Sequence, residues 1–271
     1  MRPKIALFTE SSGGGYTKAL RRRLTRRAVV SSASEFQPRD PNETPETHFP
    51  LQTVIRINQP RFINRYDSRE ILIVVDGSCL NNGSRHYEGV PPSGGCSFIY
   101  KGGGTRGSVT SYPFLQDGSE AGGTVGFPLE HTGPGGELHD QTSNRAKLRA
   151  VIAGLEFRPW HQEGWRRIVI ATNLEYVTKG ATQWLPLWVR RRWRNSRGNK
   201  KIANRDLWEE LHGIIENLRR HGTEVSFWLI TARSQAKHSS IVQDAKSAAQ
   251  DASWQYDATA VEFTRLCGIH V

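Results

Sequence analysis

Cysteine is scarce in this chain, with Cys79, Cys96 and Cys267 the three in 271 residues. They are too few and too scattered to frame a disulfide scaffold or a Cys-based zinc site, so the sequence reads as a reduced, intracellular protein. Long apolar runs are missing too. The longest aliphatic stretch, Ile71 to Val75, falls far short of the roughly 20 residues of a membrane span. The beginning of the chain has no apolar secretory core, so no membrane association is expected. Acids are in deficit: 26 Asp and Glu stand against 37 Lys and Arg, a formal charge of +11. That imbalance calls for a polyanionic partner and leaves its identity open.

What is present divides into three parts. Residues 1–67 carry a Ser/Gly run at Ser11 to Gly15, a basic stretch from Leu20 to Arg27 and a Pro/Glu/Thr-rich linker from Gln37 to Phe49. Such composition buries little apolar surface, and an extension without order is expected. The basic stretch fits an organellar or nuclear address and equally a solvated tail. Residues 68–253 form the candidate domain, and 254–271 a tail. Short apolar runs at 71–76, 95–100, 124–129, 167–172 and 224–229 predict five strands, with 102–123 a long hairpin loop. Leu148, Val151, Ile152 and Leu155 recur at helical spacing, so a helix begins near Ser143 with Lys147 in its first turn. Leu207, Leu211, Ile214 and Leu218 predict a second helix, opened by Asp206 and Glu209 as a capping box. An alanine-rich helix from Ser239 to Ala252 closes the set, giving a mixed α/β core.

Four motifs stand in fixed order. Asp76-Gly77-Ser78-Cys79-Leu80-Asn81-Asn82-Gly83 is followed by Thr142-Ser143-Asn144-Arg145-Ala146-Lys147-Leu148, then Ala171-Thr172-Asn173-Leu174-Glu175-Tyr176-Val177. Trp184 to Trp188 and Asn204 to Trp208 make a tryptophan-rich, basic segment. Together these resemble the cellular type 1 ribonucleases H over roughly residues 68–253. The resemblance implies a five-stranded mixed sheet flanked by helices and a nucleic-acid partner, an RNA/DNA hybrid or duplex RNA.

It also implies a chemistry. Such enzymes cut the RNA strand with two Mg²⁺ or Mn²⁺ ions held by four clustered carboxylates. Asp76 fills the first position, but Lys147 stands at the second and Asn173 at the third. The fourth falls on Val242 in the preferred register and on Asp244 if the last helix slides by two residues. An ammonium about 4 Å from one charge of an ion is repelled by roughly 4 kcal/mol at an effective dielectric of 20, before doubling for a divalent ion. Lys147 can instead pair with Asp76 and fill the ion's place. Glu175 and Glu156 offer no rescue, the first lying beyond its strand and the second about two and a half helical turns from Lys147. His238, in the loop before the last helix, lacks the motif that would give it a catalytic part.

The resemblance assigns Asn81, Asn82, Ser143 and Asn144 to the minor groove of the hybrid, and Thr142 and Arg145 to a DNA-strand phosphate. Helix capping would account for Ser143 and Asn144 as well. From Leu187 to Arg205 the chain carries Arg190, Arg191, Arg192, Arg194, Arg197, Lys200 and Lys201 without an acid, interleaved with Trp188 and Trp193. Cations track phosphates while aromatics pack on sugar or base, so this segment, with Asn204 at its end, suits a nucleic-acid strand. Core packing is the counter-reading for the tryptophans, and favoured for Trp184 and Trp208. Three functions follow: a hybrid-binding protein without catalysis and without a metal; a working endoribonuclease with a rebuilt Mg²⁺ or Mn²⁺ site using Asp76 and Asp244; or a protein-interaction scaffold on the same fold.

Overall fold

The computed structural model describes residues 33–82, 91–102, 109–111, 123–194, 201–255 and 262–266. The basic stretch at 20–27, Gly83, Arg197, Lys200 and Cys267 lie outside them.

The five strands expected from the sequence are all present: β4 (Glu70–Leu80), β5 (Ser93–Ile99), β7 (Thr124–Pro128), β8 (Arg167–Thr172) and β9 (Glu224–Leu229). Two short edge strands, β1 (Ser34–Glu35) beside β9 and β6 (Val109–Ser111) beside β7, widen the sheet to seven. The mixed sheet runs in the order β1-β9-β8-β4-β5-β7-β6. β6 falls within the stretch expected to be loop. Strands of two and three residues carry no alternation by which a sequence could reveal them.

β4 is the central strand, parallel to β8 and antiparallel to β5. Its continuous aliphatic run, Ile71 to Val75, is what burial on both faces requires. Ile71, Ile73 and Val75 join the core beneath helix α2 (Ser143–Glu156), whereas Leu72 and Val74 join a second core with Ile241, Val242 and Ala245 of helix α6 (Ser240–Trp254). In α2, Thr142 caps the N-terminus by accepting the Arg145 N–H at 3.2 Å, and Leu148, Val151, Ile152 and Leu155 are buried as predicted. Between β8 and β9 come α3 (Glu175–Lys179), a π-helical turn (Gly180–Trp184), α4 (Leu185–Arg190) and α5 (Arg205–Arg220). On α5 it is Ile215, not Ile214, that joins Leu207, Leu211 and Leu218 in the core. The expected capping box is absent there. Asn204 precedes the helix in a left-handed conformation (φ 53°) without a side-chain cap, Glu209 pairs with Arg205, and Asp206 turns to Arg145.

Residues 33–67, expected to lack order, are built onto this core. α1 (Pro45–His48) leads into a hairpin, β2 (Leu51–Val54) and β3 (Gln59–Phe62). A few anchors hold this polar stretch. Phe49 and Phe62 are buried, Phe36 packs 5.4 Å from the Trp228 ring, and the fully buried Arg61 donates to Glu163 at 2.8 and 3.1 Å. Glu46 Oε1 accepts the Ile241 N–H at 3.1 Å and the Ser240 hydroxyl at 2.9 Å, adding a second cap to α6 beside that of Ser239. Average composition hides such isolated contacts. At the other end Leu266 is buried, and the Thr264 carbonyl accepts from Arg149 at 2.6 Å, so part of the tail lies against α2.

Candidate functional site

β4 outruns its parallel neighbour. Pairing with β8 stops at Val74↔Ala171, while pairing with β5 continues to Leu80↔Ser93. Asp76 therefore lies where the sheet opens beside the end of β8, and Asn173 is the first residue past that end. The start of α2 comes close because Gly77 has no side chain: a Cβ there would collide with the Lys147 backbone nitrogen and stand 2.6 Å from the Ala146 carbonyl carbon. That approach lets the Lys147 side chain reach over the strand.

Three side chains close on one another. The Lys147 ammonium donates to Asp76 Oδ1 and, at 2.5 Å, to Asn173 Oδ1, and Asn173 Nδ2 donates to Asp76 Oδ2 at 3.4 Å. Asp76 Oδ1 also accepts the Gly77 N–H at 2.7 Å. The Asp76 and Lys147 side chains are 6 % and 12 % exposed, so the pair is largely withdrawn from water. This is the pairing that the sequence suggested, with Asn173 as a third member.

Neither candidate for the fourth carboxylate position brings an acid into contact with this trio among the described residues. Val242 is buried among Val74, Ala171 and Ile230, whereas Asp244 lies on the exposed side of α6. Ala245, Ala248 and Ala249 face the sheet and Lys246 faces solvent. Glu175 pairs with Lys179 on the surface and Glu156 with Arg149, so neither joins the site. His238 is exposed. Mg²⁺ and Mn²⁺ take several oxygen ligands, and here one carboxylate, already engaged by an ammonium, is what the strand ends offer. Among the described residues no group of three His, Cys, Asp or Glu could hold a metal ion. The side chains present do not fit a divalent ion.

Beside this trio lies an amide-rich surface. Asn82 Nδ2 donates to Ser143 Oγ at 3.0 Å, tying the end of β4 to α2, and Asn81 takes a left-handed turn conformation (φ 55°) that suits asparagine. Asn82, Thr142, Asn144 and Asn204 line an open cavity of about 440 Å³, together with Asp140 and Tyr176. Arg145 is not presented to it as the sequence suggested. Its guanidinium is 1 % exposed and grips the Asp206 carboxylate in a two-pronged pair at 2.6 and 3.1 Å, with Asn204 Oδ1 at 3.5 Å. Burial pushes the Asp206 carboxyl up, and the hydrogen bonds and charge of Arg145 reverse this, leaving its pKa below the usual aspartate value.

The basic segment leaves α4 through two left-handed residues, Arg192 (φ 53°) and Trp193 (φ 61°). Arg190, Arg191, Arg192 and Arg194 are exposed and make no ion pair with the described residues. Trp188 is half-buried against the core. Its ring packs between Trp184 (5.9 Å) and the fully buried Trp208 (5.5 Å). Trp193 is half-buried, with the Arg205 guanidinium 5.7 Å above its ring. Trp193, Arg194, Lys201 and Arg205 border a second open cavity of about 960 Å³, which shares His139 and Asn204 with the first. The amide surface and the basic segment are thus contiguous.

Residues 68–233 match the family model described as RNase H. The chain belongs to the RNase H family. It is similar to the ribonuclease H of Neorickettsia sennetsu, at 32 % identity over 145 residues that cover 54 % of this chain and 72 % of that protein. It is also similar to the ribonuclease H of Treponema pallidum subsp. pallidum, at 29 % identity, covering 55 % and 74 %. A solved structure described as LC9-RNase H1, a type 1 RNase H with the type 2 active-site motif, is similar at 23 % identity and a TM-score of 0.42, covering 70 % and 75 %.

Within this RNase H chain, the residue that sequence reasoning missed is Asp206. It looked like a helix cap, and its acidic place at the start of α5 gave no signal of the buried arginine it meets 61 positions away. Asp140 and Tyr176 on the cavity wall were likewise not singled out. No helix among the described residues is long and apolar enough to cross a membrane.

Proposed function

We propose that this protein binds RNA/DNA hybrid, or a related nucleic-acid duplex, through its RNase H fold without cutting it. The observation that carries the reading is the closed Lys147–Asp76–Asn173 trio, which places a cation where a two-ion mechanism needs a cluster of acids. The amide surface around Asn82 and Asn144, and the unpaired arginines of the basic segment, support retained binding. Amides reach base edges and 2′-hydroxyls, and arginines track phosphates.

The test is incubation of purified protein with a labelled hybrid in Mg²⁺ and in Mn²⁺. Shifted but intact RNA is the expected outcome. Metal-dependent cutting of the RNA strand that disappears in Asp76→Asn would return the chain to the working nucleases whose name its relatives carry. Restoring the acids by Lys147→Glu, Asn173→Asp and Val242→Asp together is expected to bring metal-dependent cleavage. The scaffold reading gains if the protein holds no hybrid at all.

A further inference from the structure

We infer that the Lys147 ammonium is itself a contact for a backbone phosphate of the bound strand, so that binding needs no divalent ion. The inference rests on the hybrid-binding reading above and assigns that reading a specific contact. An ammonium has three N–H donors. Two are used, on Asp76 Oδ1 and Asn173 Oδ1, and the third has no partner among the described residues. The carboxylate beneath is covered: Asp76 is 4 % exposed and receives donors from Gly77, Lys147 and Asn173. Asn173 is exposed and Asp76 is not, so a polyanion approaching the strand ends meets N–H groups before it meets the acid.

Position on the helix places this donor in line with the others. Ser143 and Asn144 precede Lys147 by four and three residues, one turn earlier on the same face of α2, and Ser143 is joined to Asn82. A strand held at Asn82 and Asn144 would therefore pass the ammonium. Asp76 and Asn173 fix Lys147 before any ligand arrives, which removes most of the rotamer freedom that a lysine otherwise loses on binding.

The experiment is fluorescence-anisotropy titration of a labelled RNA/DNA hybrid in EDTA and in Mg²⁺, over a series of salt concentrations. Wild type would be compared with Lys147→Met and with Asp76→Asn/Lys147→Met. The double variant removes the carboxylate that the single one leaves unpaired, so a folding defect cannot imitate a lost contact. Expected is wild-type binding in EDTA that is at least as tight as in Mg²⁺, since the ion competes for phosphate and is not needed. Loss of Lys147 should weaken binding about tenfold in both variants and lower the slope of log K against log salt by about one. Wild-type binding that requires Mg²⁺, or a double variant that keeps both affinity and slope, overturns the inference while leaving hybrid binding intact. Absence of hybrid binding by the wild type overturns the underlying reading instead.

Discussion

Lys147 and Asp76 hold each other in a place where neither would be stable alone. Removing one partner of a buried pair costs about 3 kcal/mol or more, because the other charge is left without compensation. Lys147→Met should therefore lower stability by that order in urea denaturation, and adding Asp76→Asn should recover most of the loss. Asp206 provides an acid-side counterpart. Its folded pKa lies below the unfolded value of about 3.9, so its stabilisation is complete above that value and is lost as pH falls through the lowered one. Stability measured between about pH 4 and pH 2 should decline less steeply in Asp206→Asn than in wild type. Of these pairs, the first was legible in the sequence, since the motif fixes where Lys147 and Asp76 stand. The second was not. Arg145 looked available for a phosphate because nothing in its own motif announces a carboxylate supplied by α5.

Elements bring such side chains together, and here a glycine and a borrowed cap set two of the junctions. Gly77→Ala would drive a Cβ into the backbone of Ala146 and Lys147. Since backbone has no rotamer with which to yield, α2 must move away, with an expected cost of about 1–3 kcal/mol and a weakened trio. A lowered melting temperature, with loss of hybrid affinity out of proportion to it, would report this. At α6, Glu46→Ala removes an acceptor from the Ile241 N–H and should cost about 1 kcal/mol by denaturant titration. The long strands were legible as apolar runs, α2 and α5 by apolar residues at helical spacing, and α6 by its alanines. β1, the hairpin and the tail contacts depend on single side chains such as Phe36 and Leu266, which no period reveals.

At the scale of the molecule, four arginines between 190 and 194 are exposed, and Arg194 borders the cavity that shares His139 and Asn204 with the amide-lined one. Neutralising Arg190, Arg191, Arg192 and Arg194 should weaken hybrid binding similarly across sequences and flatten its salt dependence, read by anisotropy. Unchanged affinity would shift weight to a protein partner. Excess positive charge was plain in the composition. Its division between exposed arginines and the three that are fully enclosed, Arg61, Arg145 and Arg149, was not.

Arg61 bears on where the molecule can be divided. The family match begins at residue 68, yet Glu163, deep within that match, receives two of its hydrogen bonds from Arg61 upstream of it. A fragment that starts at residue 68 and keeps the chain through α6 would also forfeit β1 and the Glu46 cap. It should denature at a lower midpoint than one starting at residue 33. The family match and the packed core have different upstream edges here, and the buried guanidinium marks the difference.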